Sequence, residues 1–271
     1  MISVIKANGQ KEPFSEQKVI DSIRRARIPH QAQTDVLQHI RTKIYDGIST
    51  DEIFHHIIEF LDTRVHPYAR SRYSLKQAIM LLGPTGYPFE DFVSELLKTE
   101  GYDTKVRQIL PGKCISHEID IIAGKNGKKI MIEAKFHNSP GTRSEVHVAL
   151  YTQARFVDIK DRHGLDEAWL VTNTKTTSDA NMYASCSGMK VISWSYPEGE
   201  SLRDIIERTK LHPITILTSL SESNKMILLE NHVVLCKQIH QNKTLLDRLP
   251  LTKEEKEKTK AEVAFICTEE M

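Results

Sequence analysis

Hydrophobic spacing changes register repeatedly along the chain. The opening stretch MISVIKANGQKEPF alternates apolar and polar residues around Asn8-Gly9, a strong signal for a tight hairpin. After it the period lengthens: Val19, Ile20, Ile23 and Ala26 form the apolar stripe of a helix. Ser15 is placed as its N-cap, with Phe14 and Val19 as a hydrophobic staple. A second helix is predicted around Val36 to Tyr45, a third from near Thr50, and a fourth from about Pro67 to Leu82. GPTGYP at 83–88 then breaks the pattern with two glycines and two prolines and marks a first domain boundary.

Beyond that break, PFEDFVSELLKTEGYD reads as one amphipathic helix ending at Gly101. A connecting strand and a hairpin follow, then helix (RSEVHVALYTQARFVDIKDR), buried strand (DEAWLVTN) and a further strand (MKVISWSY). From Ser201 the strand signals fade, and TKEEKEKTKAEVAF is a charged, amphipathic last helix with a solvated face. The pattern predicts a multidomain α/β chain: a small β-hairpin with helices at 1–88, a central α/β sheet domain at 89–198, and a helical segment at 199–271.

One hairpin carries an anomaly. In HEIDIIAGKNGKKIMIEAKF, residues 117–136, an Asn126-Gly127 pair predicts a type I′ turn. Counting outward places Lys125 opposite Lys128, Asp120 opposite Glu133, Ile119 opposite Ala134 and Glu118 opposite Lys135. Strict alternation then puts all four charged groups on one face and Ile119, Ile121, Ile130, Ile132, Ala134 and Phe136 on the other. Facing carboxylates are destabilising unless a cation lies between them. The expectation is a hard divalent metal, Mg²⁺ or Mn²⁺, with Asp120 and Glu133 as its ligands and Lys135 beside a water, an arrangement suited to phosphodiester hydrolysis. Glu118 stays open between ligand and partner of Lys135, and His117 between surface residue and DNA contact.

Composition narrows the remaining classes. With 37 basic and 36 acidic residues, any basic surface is local. The four cysteines, at 114, 186, 236 and 267, include no CxxC pair, which argues against a zinc ribbon and suits a reducing compartment. No stretch approaches the ~18 consecutive apolar residues of a membrane span, and a cytoplasmic protein without a membrane partner is expected. No GxxxxGK[ST] loop occurs, so a P-loop motor is not expected.

Two segments resemble known families. LLKTEGYD, HEIDII, IEAKF and Gln153 together resemble the Mrr-type restriction endonucleases of the PD-(D/E)xK nuclease superfamily, over roughly residues 89 to 197. The resemblance implies metal binding by Asp120 and Glu133, catalytic assistance by Lys135, and auxiliary roles for Gln153 and Glu95. Ile119 stands where the family name has proline. VIKANG at 4–9, PFSEQK at 13–18 and ARSRYSLK at 69–76 resemble the ATP-cone, the nucleotide-sensing domain of ribonucleotide reductases. That implies ATP or dATP as an effector, with Val4 near the base and Lys6 and Lys18 near the phosphates; Ala7 replaces the arginine of the usual run. The C-terminal stretch LTSLSESNKMILLENHVVLCKQIHQNKTLLDRL loosely resembles helix-hairpin-helix modules, with DNA binding and dimerisation equally open; Leu228, Leu229, Val233 and Leu235 are expected in its core.

Taken together, these readings predict a Mg²⁺-dependent endonuclease acting on double-stranded DNA, modulated by ATP or dATP, in a homodimer or higher assembly. The competing reading is a nucleotide-responsive DNA-binding regulator with an inactive nuclease fold. RNA cleavage is a third.

Overall fold

The computed structural model describes residues 2–26, 28–65 and 68–268. The chain forms two compact units, one of residues 1–78, 214–225 and 236–271, the other of residues 79–213 and 226–235. Residues 199–271, read above as one helical segment, are divided between them.

The first unit opens with β1 (Ser3–Ile5) and β2 (Lys11–Pro13), the antiparallel hairpin expected around Asn8-Gly9. Then come α1 (Glu16–Arg25), α2 (His30–Lys43), β3 (Ile48–Ser49), α3 (Thr50–Arg64), α4 (Ala69–Tyr73) and α5 (Leu75–Met80), the last running across the division of the units. Parallel pairing of β3 with β1 completes a three-stranded sheet. Ser15 caps α1 by accepting from the Lys18 amide, as its position predicted. The expected fourth helix is two: at Ser74 the amide is shared between the carbonyls of Arg70 and Ser71, a tightened turn that resets the axis. Its expected start, Pro67, lies outside the described residues. Val4, Ile23, Val36, Ile40, Ile57 and Leu61 form one core.

The same unit takes in chain from the far end. It includes a 3-10 turn (Ile214–Ile216), α11 (Cys236–Gln241), a second 3-10 turn (Lys243–Arg248) and α12 (Lys253–Cys267). The Glu262 carboxylate of α12 is fully buried and accepts from the Ser71 hydroxyl, the Thr218 amide and hydroxyl, and the Ser219 amide. Each of its oxygens is thus satisfied, which is what a buried carboxylate requires.

The second unit is built on a five-stranded sheet. α6 (Tyr87–Thr99) is followed by β4 (Asp103–Pro111), β5 (Ser116–Lys125) and β6 (Lys128–Lys135), an antiparallel meander. β7 (Arg143–Ser144) and α7 (Val146–His163) lead to β8 (Glu167–Thr172), parallel to β6; β9 (Lys175–Thr176) and α8 (Ser178–Cys186) lead to β10 (Lys190–Ile192), parallel to β8. The order is β10-β8-β6-β5-β4, with β7 and β9 paired separately. α9 (Leu202–Thr209) follows, and α10 (Glu222–Glu230) runs across the division of the units. α6 ends in a Schellman motif: Gly101 adopts φ +86°, its amide reaches the Lys98 carbonyl, and the Tyr102 amide reaches that of Leu97. Leu228, Leu229, Val233 and Leu235 are all core residues, as expected.

Candidate active site and nucleotide pocket

The β5–β6 turn has the predicted geometry, with φ positive at both Asn126 and Gly127, and the ladder runs in the predicted register from Lys125–Lys128 to Ile121–Ile132. There it stops. The Ala134 amide donates at 2.8 Å to the Asp120 carboxylate instead of to a β5 carbonyl. On the other side, β4 pairs Val106 with Ile121 and Gln108 with Ile119 but skips Arg107, which sits at φ +51°. An L-residue pays roughly 1–2 kcal/mol for that backbone. The Arg107 guanidinium meets Glu90 at 3.1 Å and Asp91 at 2.7 Å on α6. Both neighbours of β5 therefore open at Asp120.

This opening corrects the expected alternation. Ile119 joins Met131, Val148 and Phe156 in the cluster with α7, and Ile122 borders the same cluster. Two residues three apart share a face only if the two-residue period slips, so the strand changes face across Asp120. His117, on the Ile119 side, reaches the Asp158 carboxylate of α7 at 2.8 Å and is a positioning contact between β5 and α7. Glu118 is exposed, and among the described residues it forms no pair with Lys135. Its charge still acts on Asp120 through space.

Asp120, Glu133 and Lys135 come together with two residues that sequence reasoning missed. Arg155 of α7 forms an ion pair with Glu133, both side chains being largely buried. Glu90 of α6 is 7 % exposed and close enough to feel the charge of Asp120. Burial raises the Asp120 carboxyl above the usual aspartate range, against the Ala134 amide and the charge of Arg155. Glu133 is pushed up to about 7, first by burial and then by Asp120, which together outweigh Arg155 and Lys135. Glu90 also rises to about 7, for the same two reasons, against Arg107. The Lys135 ammonium makes no hydrogen bond or ion pair among the described residues and acts on Asp120 and Glu133 through space. Three carboxylates thus share a half-buried space that Arg155, Arg107 and Lys135 only partly neutralise.

The other expected auxiliaries lie elsewhere. Glu95 is turned to Lys98 at 2.7 Å, one helical turn along α6. Gln153 lines an open groove of about 870 Å³ along α7, with Arg155, His117 and Asp158; its amide oxygen is buried without a partner. Arg155 and Glu90 did leave a signal in the chain. Each is a charged residue inside an apolar helical stripe: Arg155 falls among Val148, Thr152, Phe156 and Ile159, and Glu90 among Phe89, Val93 and Leu97.

In the first unit Lys6 and Lys18 converge as expected, but on a side chain of the chain itself. Glu12 lies between them, 2.5 Å from Lys6 and 2.9 Å from Lys18, and these two contacts lower its carboxyl below the usual glutamate range. Beside it opens a cavity of about 240 Å³ lined by Val4, Phe14, Ile53, Phe54 and Tyr73, with Lys18 and Glu12 also contributing. Phe54 and Tyr73 stack at 5.5 Å, and the Tyr73 hydroxyl shares a 3.1 Å hydrogen bond with Ser22. The cavity is thus an apolar slot with charged groups beside it.

Known proteins place both units in classes. Residues 2–78 match the ATP cone domain and residues 82–198 the Mrr-type catalytic domain described as restriction endonuclease, so an ATP-cone is joined here to a restriction-endonuclease fold. Residues 212–267 match the AF1548-like C-terminal domain. An uncharacterized protein of Archaeoglobus fulgidus is 43% identical over 125 residues, which are 46% of this chain and 71% of that one. The crystal structure of AF1548, a protein of unknown function, is 35% identical, with a TM-score of 0.59 over 67% of this chain and 98% of its own. The chain belongs to the AF1548-like family.

Proposed function

We propose that this protein is a divalent-metal-dependent DNA endonuclease whose activity or assembly responds to ATP or dATP. The observation that carries the reading is the cluster of Asp120, Glu133 and Glu90, three carboxylates short of positive charge in a restriction-endonuclease fold. An all-oxygen set of this kind favours Mg²⁺ or Mn²⁺ over softer ions. Asp120 and Glu133 would hold the cation, which when bound supplies Lewis acidity toward a phosphate and a water of lowered pKa. The Ala134 amide fixes the Asp120 carboxylate, and Arg155 fixes that of Glu133. Lys135, unpaired with either, is free to offset charge developing on a phosphate.

In the first unit, the cavity is smaller than the ~300–1,000 Å³ of sites that enclose a whole ligand. It suits a flat base against Val4, Phe54 and Tyr73, with the phosphates left to Lys6 and Lys18 once Glu12 yields them. Cleavage of both strands of a duplex needs two sites, which supports a homodimer or higher assembly. A regulator with an inactive nuclease fold is the alternative, and the Arg155–Glu133 pair speaks for it because it spends a ligand's charge within the protein.

The test is cleavage of supercoiled plasmid and of RNA with Mg²⁺ or Mn²⁺, crossed with ATP and dATP. Wild type should nick or cut DNA, and Asp120→Ala and Lys135→Ala should each lower the rate by roughly 10²–10³-fold or more. Metal-independent gel-shift binding without cleavage on any substrate would establish the regulator instead.

A further inference from the structure

A third group of polar side chains lies in the first unit, apart from both sites above. His39 of α2 and His56 and Glu59 of α3 bring one ring nitrogen each, and a carboxylate oxygen, within 4.8 Å of one another. The His39 ring stands edge-on to His56, with centroids 6.4 Å apart, and leans on Phe60 at 5.5 Å. Its Nε2 is buried and has no hydrogen-bond partner. A buried ring nitrogen left unpaired is costly, and helix surfaces ordinarily turn such a group to water.

His56 is oriented from both sides. Its Nδ1 faces the Glu59 carboxylate at 3.6 Å, and its Nε2 faces Glu52 at 4.0 Å. Glu52 is itself held by the Tyr45 hydroxyl at 2.9 Å. Nδ1 is thus turned toward Glu59 while Nε2 looks at a second carboxylate, the arrangement by which an outer carboxylate fixes a metal-bound imidazole.

We propose that His39, His56 and Glu59 form a transition-metal site of the zinc class that ties α2 to α3, with Glu52 as the positioning residue behind His56. Two imidazoles and one carboxylate select Zn²⁺, Co²⁺ or Ni²⁺ over Mg²⁺, which prefers oxygen ligands. Tetrahedral zinc with ligands at about 2.0–2.1 Å separates them by about 3.3 Å, so side-chain rotations of the order of an ångström close the site. Three protein ligands leave the fourth position to water. The ion would pin α3, which also lines the nucleotide cavity through Ile53, Phe54 and Ile57.

Zinc binding to the full chain is measured by equilibrium dialysis under reducing conditions, with excess Mg²⁺ to fill oxygen-only sites. Wild type should hold one tight equivalent. His39→Asn and His56→Gln should each weaken it by at least roughly 100-fold, and Glu52→Gln by roughly 10-fold. Glu59 is largely exposed, so Glu59→Gln keeps the fold and should also weaken binding. Asp120→Ala should leave it unchanged. Cobalt in place of zinc should give a visible spectrum without a thiolate charge-transfer band, which separates the site from exposed Cys114 and Cys186. Absence of a tight equivalent in wild type, its survival in the histidine variants, its loss in Asp120→Ala, or a thiolate band would each overturn the proposal.

Discussion

Glu12 meets Lys6 and Lys18 near the surface, whereas Glu133 meets Arg155 in the interior. Both are strand glutamates with cationic partners at contact distance, yet they respond in opposite directions. The lysines draw the Glu12 carboxyl down, while burial and a second carboxylate carry Glu133 up to about 7. Water decides the difference. Where solvent solvates the charge, a partner's attraction is added at little cost; where it does not, the desolvation of the carboxylate exceeds what one partner returns. An exposed pair of this kind is readily exchanged for a ligand, and a buried one is a standing demand for more positive charge.

The contrast breaks most sharply at Arg155. Arg155→Met leaves Glu133 and Asp120 buried without their nearest cation and should cost about 3–5 kcal/mol at pH 8, measured by urea denaturation. At pH 5, where Glu133 is protonated, the loss should be much smaller. An equal loss at both values would mean that the arginine serves packing and not charge.

The wild-type protein should show the same physics as a pH slope. Glu133 and Glu90 titrate near 7 in the folded chain and near 4.5 when unfolded, so the native state binds more protons between those values. Their contribution is fully present below pH 4.5 and is lost as pH rises through 7, on the order of 3 kcal/mol for each carboxylate. Metal-free denaturation at pH 5 and pH 8 should show the decline, and saturating Mg²⁺ should reduce it at pH 8 far more than at pH 5. A flat profile with no metal dependence would remove the basis for a cation there.

At the exposed end of the comparison the effects are small. Glu12→Gln should free both lysines and tighten ATP or dATP by roughly 2–5-fold in calorimetry, while Lys18→Ala should weaken it by a similar factor. Unchanged affinity in both variants would show that the three-charge cluster only stabilises the hairpin.

How far the chain could be read follows from what each feature depends on. The type I′ turn, the register from it as far as Ile121–Ile132, the capping of α1 and the order of the main strands and helices depend on neighbours in sequence, and these were legible. The face switch at Asp120 was not, because it depends on the left-handed backbone of Arg107, a residue with no conformational preference for it. Arg155 and Glu90 show in the chain only as interruptions of apolar stripes, and nothing local says that those interruptions meet across the sheet. Glu12 gave no signal at all, since a three-residue strand is too short to show a period. The composition of the first unit from both ends of the chain was equally hidden, because nothing local announces that Glu262 is the partner of Ser71.

That last contact has a consequence for how the protein is made. Ser71 and Glu262 are 191 residues apart, so at about 5–20 residues per second a ribosome needs about 10–40 s to deliver the carboxylate after the hydroxyl. The segment 79–213, with its complete five-stranded sheet, emerges entirely within that interval. The unit that is synthesised first is therefore finished last, and a nascent chain passes through a stage in which a candidate nuclease sheet is available before the α12 contacts of the ATP-cone unit have formed.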